Sequence, residues 1–345
     1  MIRVGVAGIG RLGSLHASLY REVAGAECVG LYDLDQARAA KLASDLGVRS
    51  FPSFAELLKA CAAVNIAVPT SLHFELAEQA LQSGRHVFVE KPITATVDEA
   101  RQLLGLAQTR KLVLQVGHIE RFNAAVRALA GFPLEPRFVE SHRMASFDPR
   151  GTDVAVVLDL MIHDIDIILS LVKSPLAQVH ANGVAVVSYE PDIANARLQF
   201  ENGCVANVTA SRISQKKMRK MRLFQRDAYV SIDFLQGLSE VYRMVSPEAA
   251  SAGVSFPVVL GKLEQGARPR HILYEKLEAP EGNALKMELE SFVAAIQNGT
   301  PPPVTGEDGL QALAVATKIT EMIKLQMEQE SVDGHLWAVA AENDA

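Results

Sequence analysis

Cysteine and tryptophan are scarce: the 345-residue chain holds three of the first and one of the second. Cys28, Cys61 and Cys204 lie far apart in apolar surroundings and show no metal-ligand spacing, so neither a disulfide framework nor a metal site is expected. They read as reduced core residues. No apolar run approaches the roughly 20 residues that span a bilayer. The chain enters its first strand without a basic region, an apolar signal stretch or a cleavage site, so no membrane partner and a cytoplasmic location are expected. Positive charge is in deficit, with 34 Lys and Arg against 40 Asp and Glu and a net charge of -6. That balance argues against nucleic acid or an anionic membrane as the main ligand. No internal repeat or low-complexity segment is present.

What is there is apolar and well punctuated. Hydrophobic residues make up 49% of the chain and charged residues 21%, enough to bury sizeable cores, and the length suits two domains. From residue 1 to about 118, apolar runs alternate with helical patterns, as in a parallel sheet with crossover helices. Strands are expected at 2–7, 28–32, 63–67, 86–89 and 112–116, with helices that include 71–83 and 96–109. Beyond 119 the pattern turns to hairpins: 194–200 and 204–211 flank Glu201-Asn202-Gly203, and 221–225 and 229–234 flank Arg226-Asp227. With helices near 154–171, 284–297 and 308–328, this half reads as an α+β domain on an antiparallel sheet. Helices would cover one face, and the other would be solvated or packed on a second subunit.

The most informative stretch is the N-terminal one. Ile2, Val4 and Val6 lead into Gly8-x-Gly10-x-x-Gly13 and a helix. In a dinucleotide site Gly8 permits the tight turn, Gly10 admits the pyrophosphate and Gly13 brings helix and strand together. Arg11 and Leu12, between the glycines, join that site. The next apolar run ends in Asp33, about twenty residues on, where an acid meets the ribose diol. Leu34 and Asp35 follow in place of an arginine, which favours NAD over NADP; capping of the following helix is the other reading of Asp33. The fold expected is thus an α/β Rossmann domain over 1–119 and an α+β domain over 120–345. Ligands on such a sheet meet the carboxyl ends of its strands. Pro69, Thr70, His73, Glu90, Lys91 and His118 should therefore gather with Gly8 and Asp33. For Pro69 and His73 a purely structural role is the alternative, as it is for His118. His16 reads as structural.

Lys91, in Glu90-Lys91-Pro92, emerges at the ligand-binding edge of the sheet, where it could hydrogen-bond a substrate hydroxyl and its charge would help that hydroxyl lose a proton. Taken alone, a solvated lysine is the simpler reading. Asp159, His163 and Asp166 recur at helical spacing beside an apolar face of Leu158, Ile162, Ile165 and Leu169. An imidazole oriented by a carboxylate suits proton exchange near neutrality. The spacing lacks the two-histidine pattern of the common zinc helix. Arg121 and Asn123 would contact substrate or secure a helix between domains. Arg212, Lys216, Lys217, Arg219, Lys220, Arg222 and Arg226 form a basic run that would meet a diphosphate. Its alternative role is to protect a sheet edge from aggregation.

GIGRLGSLHA, the EKP at 90–92, DLMIHDID at 159–166 and FVAAIQNGTPPPVTGEDGLQALAVA near the end together resemble the Gfo/Idh/MocA oxidoreductase family. The resemblance implies a Rossmann domain and a C-terminal domain with a large, predominantly antiparallel sheet, through which homodimers or homotetramers form. It assigns catalysis to Lys91, Asp159 and His163. GHIERFN at 117–123, with Asp153-Val154 and VLDLMIH at 157–163, is similar to the sugar-nucleotide 3-dehydrogenase branch. That branch implies NAD-dependent oxidation of the 3-hydroxyl of a UDP-N-acetylhexosamine, with a partner aminotransferase consuming the ketone. An inositol or simple-sugar dehydrogenase, an NAD-dependent glycosidase and an NAD-binding regulatory protein are the alternatives.

Overall fold

The computed structural model describes residues 1–148, 154–246, 258–263 and 270–343, with side chains masked at 262–263 and 330–343. Asp153 lies outside the described residues. The chain divides into two compact units, Met1–Phe122 with Glu281–Ala314, and Asn123–Pro280 with Val315–Ala345.

In the first unit, β1 (Ile2–Ala7) buries its last four residues, as a strand covered on both faces must. β2 (Ala26–Tyr32), β3 (Arg49–Ser50), β4 (Ala63–Ile66), β5 (His86–Glu90) and β6 (Leu114–Gly117) complete a six-stranded sheet in the order β3-β2-β1-β4-β5-β6. Every pairing is parallel. This is the expected Rossmann arrangement, and the strand order reverses between β1 and β4. A crevice at the carboxyl ends of those two strands is where such sheets receive ligands. The crossover helices carry ordinary signals: Asp35 caps Gln36–Leu46 by accepting from the Arg38 NH, and Thr96 and Glu99 form a reciprocal capping box on Val97–Arg110.

The expected single division at 119/120 differs from this arrangement, because Glu281–Ala314 returns to the first unit. The helix Ala284–Asn298 brings Leu289, Phe292 and Val293 into one buried cluster with Val4, Val6, Leu31 and Phe88. Gln115 of β6 donates from Nε2 to the Glu288 carbonyl at 3.0 Å.

The second unit is built on a nine-stranded sheet. Its strands are β7 (Phe138–Met144), β8 (Leu176–Val184), β9 (Ile193–Phe200), β10 (Val205–Ser211), β11 (Met218–Gln225), β12 (Ala228–Asp233), β13 (Leu238–Val245), β14 (Val258–Leu263) and β15 (Arg270–Leu277). They lie in the order β14-β15-β13-β12-β11-β7-β10-β9-β8, all antiparallel except β7 on β10. Both expected hairpins form, β9 with β10 and β11 with β12. Val139, Ala206, Val208, Leu223, Val230 and Val241 are fully buried on one face. The opposite face carries a cross-strand aromatic row, Phe138, Phe224, Tyr229, Tyr242 and Tyr274, with successive ring centroids 5.8, 5.0, 5.5 and 5.1 Å apart.

The basic run corrects one expectation. β11 is hydrogen-bonded on both sides, to β12 and β7, so it has no edge to protect. Several of its charges are engaged: Lys220 with Asp233 at 3.2 Å and Arg222 with Glu140 at 3.3 Å. Arg212 is buried, 3.9 Å from Asp192, and donates to the Val154 carbonyl.

Candidate active site

The turn from β1 into the helix Arg11–Leu19 is closed by sterics that only glycine satisfies. Gly8 has φ +86, and a Cβ there would fall 2.5 Å from the Ala67 carbonyl oxygen; one on Gly13 would fall 1.7 Å from the Gly8 carbonyl oxygen. Gly10 differs, since a Cβ there would meet nothing within 4 Å. It stands at the N-cap with no side-chain cap bond, facing a cavity of about 750 Å³ whose lining includes Gly8, Arg11, Leu12, Asp33 and Pro69. The amide groups of a helix N-terminus, with open space before them, suit a pyrophosphate.

Asp33 closes the far side. It is buried, and Oδ2 accepts from the Ile9 NH at 2.6 Å while Oδ1 accepts from the Asp35 NH at 2.8 Å and Arg38 at 2.8 Å. Burial opposes the carboxylate, but these hydrogen bonds and the Arg38 charge outweigh it and hold the group below the usual carboxylate range. The capping alternative belongs to Asp35, leaving Asp33 to face the cavity as an ionised acceptor. Arg38 went unnoticed in the sequence because it stands a helical turn beyond the strand end, where periodicity gives no hint of a partner. The donor set and the open space at Gly10 fit a dinucleotide.

His73 does not line this cavity. It is buried, with Nδ1 2.8 Å from the Pro92 carbonyl oxygen and Nε2 2.9 Å from that of Val68, so it ties the loop after β5 to the loop after β4. Pro69 is exposed and Thr70 begins a short 3-10 turn beside it. Glu90 is buried at the end of β5, and Lys91 follows half-buried, joined to Pro92 by a cis peptide. His118 is buried just beyond β6. Arg121 pairs with Asp308 at 3.4 Å, and in the second unit Asn123 Oδ1 accepts from the Ala125 NH while Nδ2 donates to the Phe234 carbonyl. Each of these contacts lies within its own unit.

In the second unit the helix that carries Asp159 and His163 is not uniform. Val157–Met161 is a π-turn and Ile162–Val172 an α-helix. Asp159 lies on the wide turn and His163 on the first α-turn, both half-buried, while Asp166 is fully buried and so does not share their exposed stripe. Single π-turns inside helices recur at functional sites because they re-aim side chains. Asp164 anchors the helix: Arg143 of β7 donates to both its oxygens, at 2.7 and 3.1 Å, with both side chains buried. Sequence reading passed over this pair because its members stand on elements 21 residues apart.

Residues 2–118 match the model of the oxidoreductase family with an NAD-binding Rossmann fold, and residues 116–230 match the GFO/IDH/MocA C-terminal domain. The chain belongs to the Gfo/Idh/MocA oxidoreductase family. It is an NAD-binding dehydrogenase, as the glycine turn and Asp33 imply. It is similar to the UDP-N-acetylglucosamine 3-dehydrogenase of Acidithiobacillus ferrooxidans, 38% identical over 330 residues that cover 95% of this chain and 99% of that protein. A solved structure of a UDP-N-acetylglucosamine 3-dehydrogenase from that organism superposes with a TM-score of 0.83, covering 94% of this chain and 98% of the other. The inositol 2-dehydrogenase of Rhizobium meliloti is more distant, at 28% identity over 334 residues, 91% of this chain and 94% of that one. No helix among the described residues is long and apolar enough to cross a membrane.

Proposed function

We propose that this protein oxidises the 3-hydroxyl of a UDP-N-acetylhexosamine to a ketone. The observation that carries the reading is near-full-length similarity to a UDP-N-acetylglucosamine 3-dehydrogenase, 38% identity over 95% of the chain, in a protein whose sequence places Lys91, Asp159 and His163 where the family motifs expect them. Bound NAD+ supplies the two-electron acceptor. Gly8, Gly10, Arg11, Leu12, Gly13, Asp33, Pro69 and Thr70 would hold its pyrophosphate and adenosine half. Lys91 holds the sugar hydroxyl by hydrogen bond and stabilises negative charge as it develops on oxygen. His163 accepts the hydroxyl proton at an imidazole nitrogen, and Asp159, re-aimed by the π-turn, keeps the reacting groups in register.

The aromatic row on the open face of the nine-stranded sheet supports assembly into a homodimer or homotetramer through that face, since rings in such a row bury area by meeting their own kind across a two-fold. A 3-keto sugar is a substrate for an aminotransferase, which is the partner this chemistry calls for.

The test is product analysis by mass spectrometry, because it detects turnover even when the cofactor is retained and recycled by a 2-keto acid. NAD+, UDP-N-acetylglucosamine and 2-oxoglutarate should yield a sugar nucleotide lighter by two hydrogens, and Lys91→Ala should abolish it. Oxidation of free inositol or glucose with no reaction of the sugar nucleotide would overturn the substrate assignment.

A further inference from the structure

Beneath Lys91 the first unit holds polar side chains that the cofactor cavity does not use. One Glu90 oxygen lies 3.3 Å from Nε2 of His16, and the other accepts from the Lys91 backbone NH at 3.2 Å. His16 is fully buried. Its Nδ1 lies 2.8 Å from Nδ2 and 3.1 Å from Oδ1 of Asn65, so the Asn65 amide can serve either tautomer of the ring. The same Asn65 nitrogen reaches the Tyr20 hydroxyl at 3.4 Å. From the other side, β6 presents only backbone: a Cβ at Gly117 would stand 3.0 Å from the Glu90 carboxyl carbon.

Among the contacts described, the ionisable groups at the Glu90 carboxyl are His16 from the first helix and Lys91 itself, and buried His118 follows Gly117 in the chain. Burial pushes the Glu90 carboxyl up to about 7, with the Lys91 charge pulling the other way. Burial also pulls His16 down to about 4. Near neutrality a neutral imidazole thus faces a carboxyl close to its midpoint, one residue from the lysine assigned to hold the reacting hydroxyl.

We propose that Glu90 is the positioning residue of Lys91: its carboxylate, enclosed between His16 and the bare backbone of Gly117, draws the Lys91 ammonium to the strand end, and its protonated form releases it. This rests on the reading of Lys91 given above. The Lys91 charge acts on Glu90 in opposition to burial; attraction between opposite unit charges is substantial where water is excluded, and it disappears when one proton is taken up. The protein thereby gains a dependence on pH that does not involve His163.

Glu90→Gln keeps the shape and one acceptor while removing the charge. Its kcat should fall by about tenfold, with the KM for the sugar nucleotide and the Kd for NAD within about twofold of wild type. The wild-type kcat profile should contain an ionisation near 7 that is missing from Glu90→Gln and retained in Arg38→Ala. A second readout uses no catalysis: in ligand-free protein labelled with carboxyl-13C glutamate, one resonance should titrate at about 7, and His16→Asn should move that midpoint. If Glu90→Gln does not fold, this titration of the wild-type protein decides, and absence of a carboxyl titrating near neutrality overturns the proposal. Lys91→Ala separates the two readings. Wild-type turnover in Lys91→Ala would overturn the role of Lys91 and this inference with it. Loss of turnover there, together with a wild-type kcat and pH profile in Glu90→Gln, would overturn the inference alone.

Discussion

Replacing Asp33 by serine should convert an NAD site into one that accepts NADP. The Asp33 carboxylate is ionised and fixed by three donors, so it offers charged acceptors to the ribose diol and repels a 2'-phosphate. Hydrogen bonds to a charged group contribute about 1.5–3 kcal/mol each, against about 0.5–1.5 kcal/mol for neutral ones. Exchanging one for the other costs about 1–2 kcal/mol, which weakens NAD binding roughly 5- to 30-fold. The same change frees the Arg38 guanidinium, which now spends its NH2 on Asp33 Oδ1 at 2.8 Å. A guanidinium at that position can meet a 2'-phosphate in two parallel hydrogen bonds. Calorimetric titration of both cofactors into wild type, Asp33→Ser and Asp33→Ser/Arg38→Ala should show NAD affinity falling in both variants. NADP affinity should rise only in the single variant. Unchanged NAD affinity in a folded Asp33→Ser protein would refute the assignment of Asp33 to the ribose.

Gly13→Ala should abolish NAD binding or folding, since its Cβ would fall 1.7 Å from a backbone oxygen; fluorescence titration and circular dichroism distinguish the two outcomes. Arg143→Met, which strands buried Asp164, should lower stability by about 3–5 kcal/mol in denaturant unfolding. The Glu90 carboxyl, raised in the folded state, supports stability below its unfolded value and loses that support as pH rises through about 7. Glu90→Gln should therefore gain thermal stability over wild type as pH climbs from about 4.5 to 7. Tyr229→Asp with Tyr242→Asp, placed in the aromatic row, should dissociate the assembly in light-scattering measurements; an unchanged mass would exclude that face.

Five strands of the first sheet were legible because each is a short apolar run ended by turn residues, and because Gly8, Gly13 and Asp33 have few alternative uses in such a setting; the two-residue polar edge strand Arg49–Ser50 has no such run and was not expected. The hairpins around Glu201-Asn202-Gly203 and Arg226-Asp227 were legible for the same local reason. What stayed hidden was long-range. The pattern of Ala284–Asn298 announces an apolar face without saying which core it enters, and it enters that of the first unit. The basic run has the composition of a surface stretch, yet Arg212 is buried and β11 is an interior strand. His73 stands where a cofactor ligand would, but two carbonyl oxygens claim its ring. The even spacing of Asp159, His163 and Asp166 presumes one α-helix, and the π-turn at Val157–Met161 breaks that period.

The most direct test of the central claim follows the isotope at the reacting carbon. UDP-N-acetylglucosamine deuterated at C3 should deliver its deuterium to the nicotinamide ring, giving monodeuterated NADH and an unlabelled 3-keto product, with His163→Asn slowing the transfer by at least about a hundredfold. Unlabelled NADH formed during turnover, or deuterium retained in the oxidised sugar, would contradict the account.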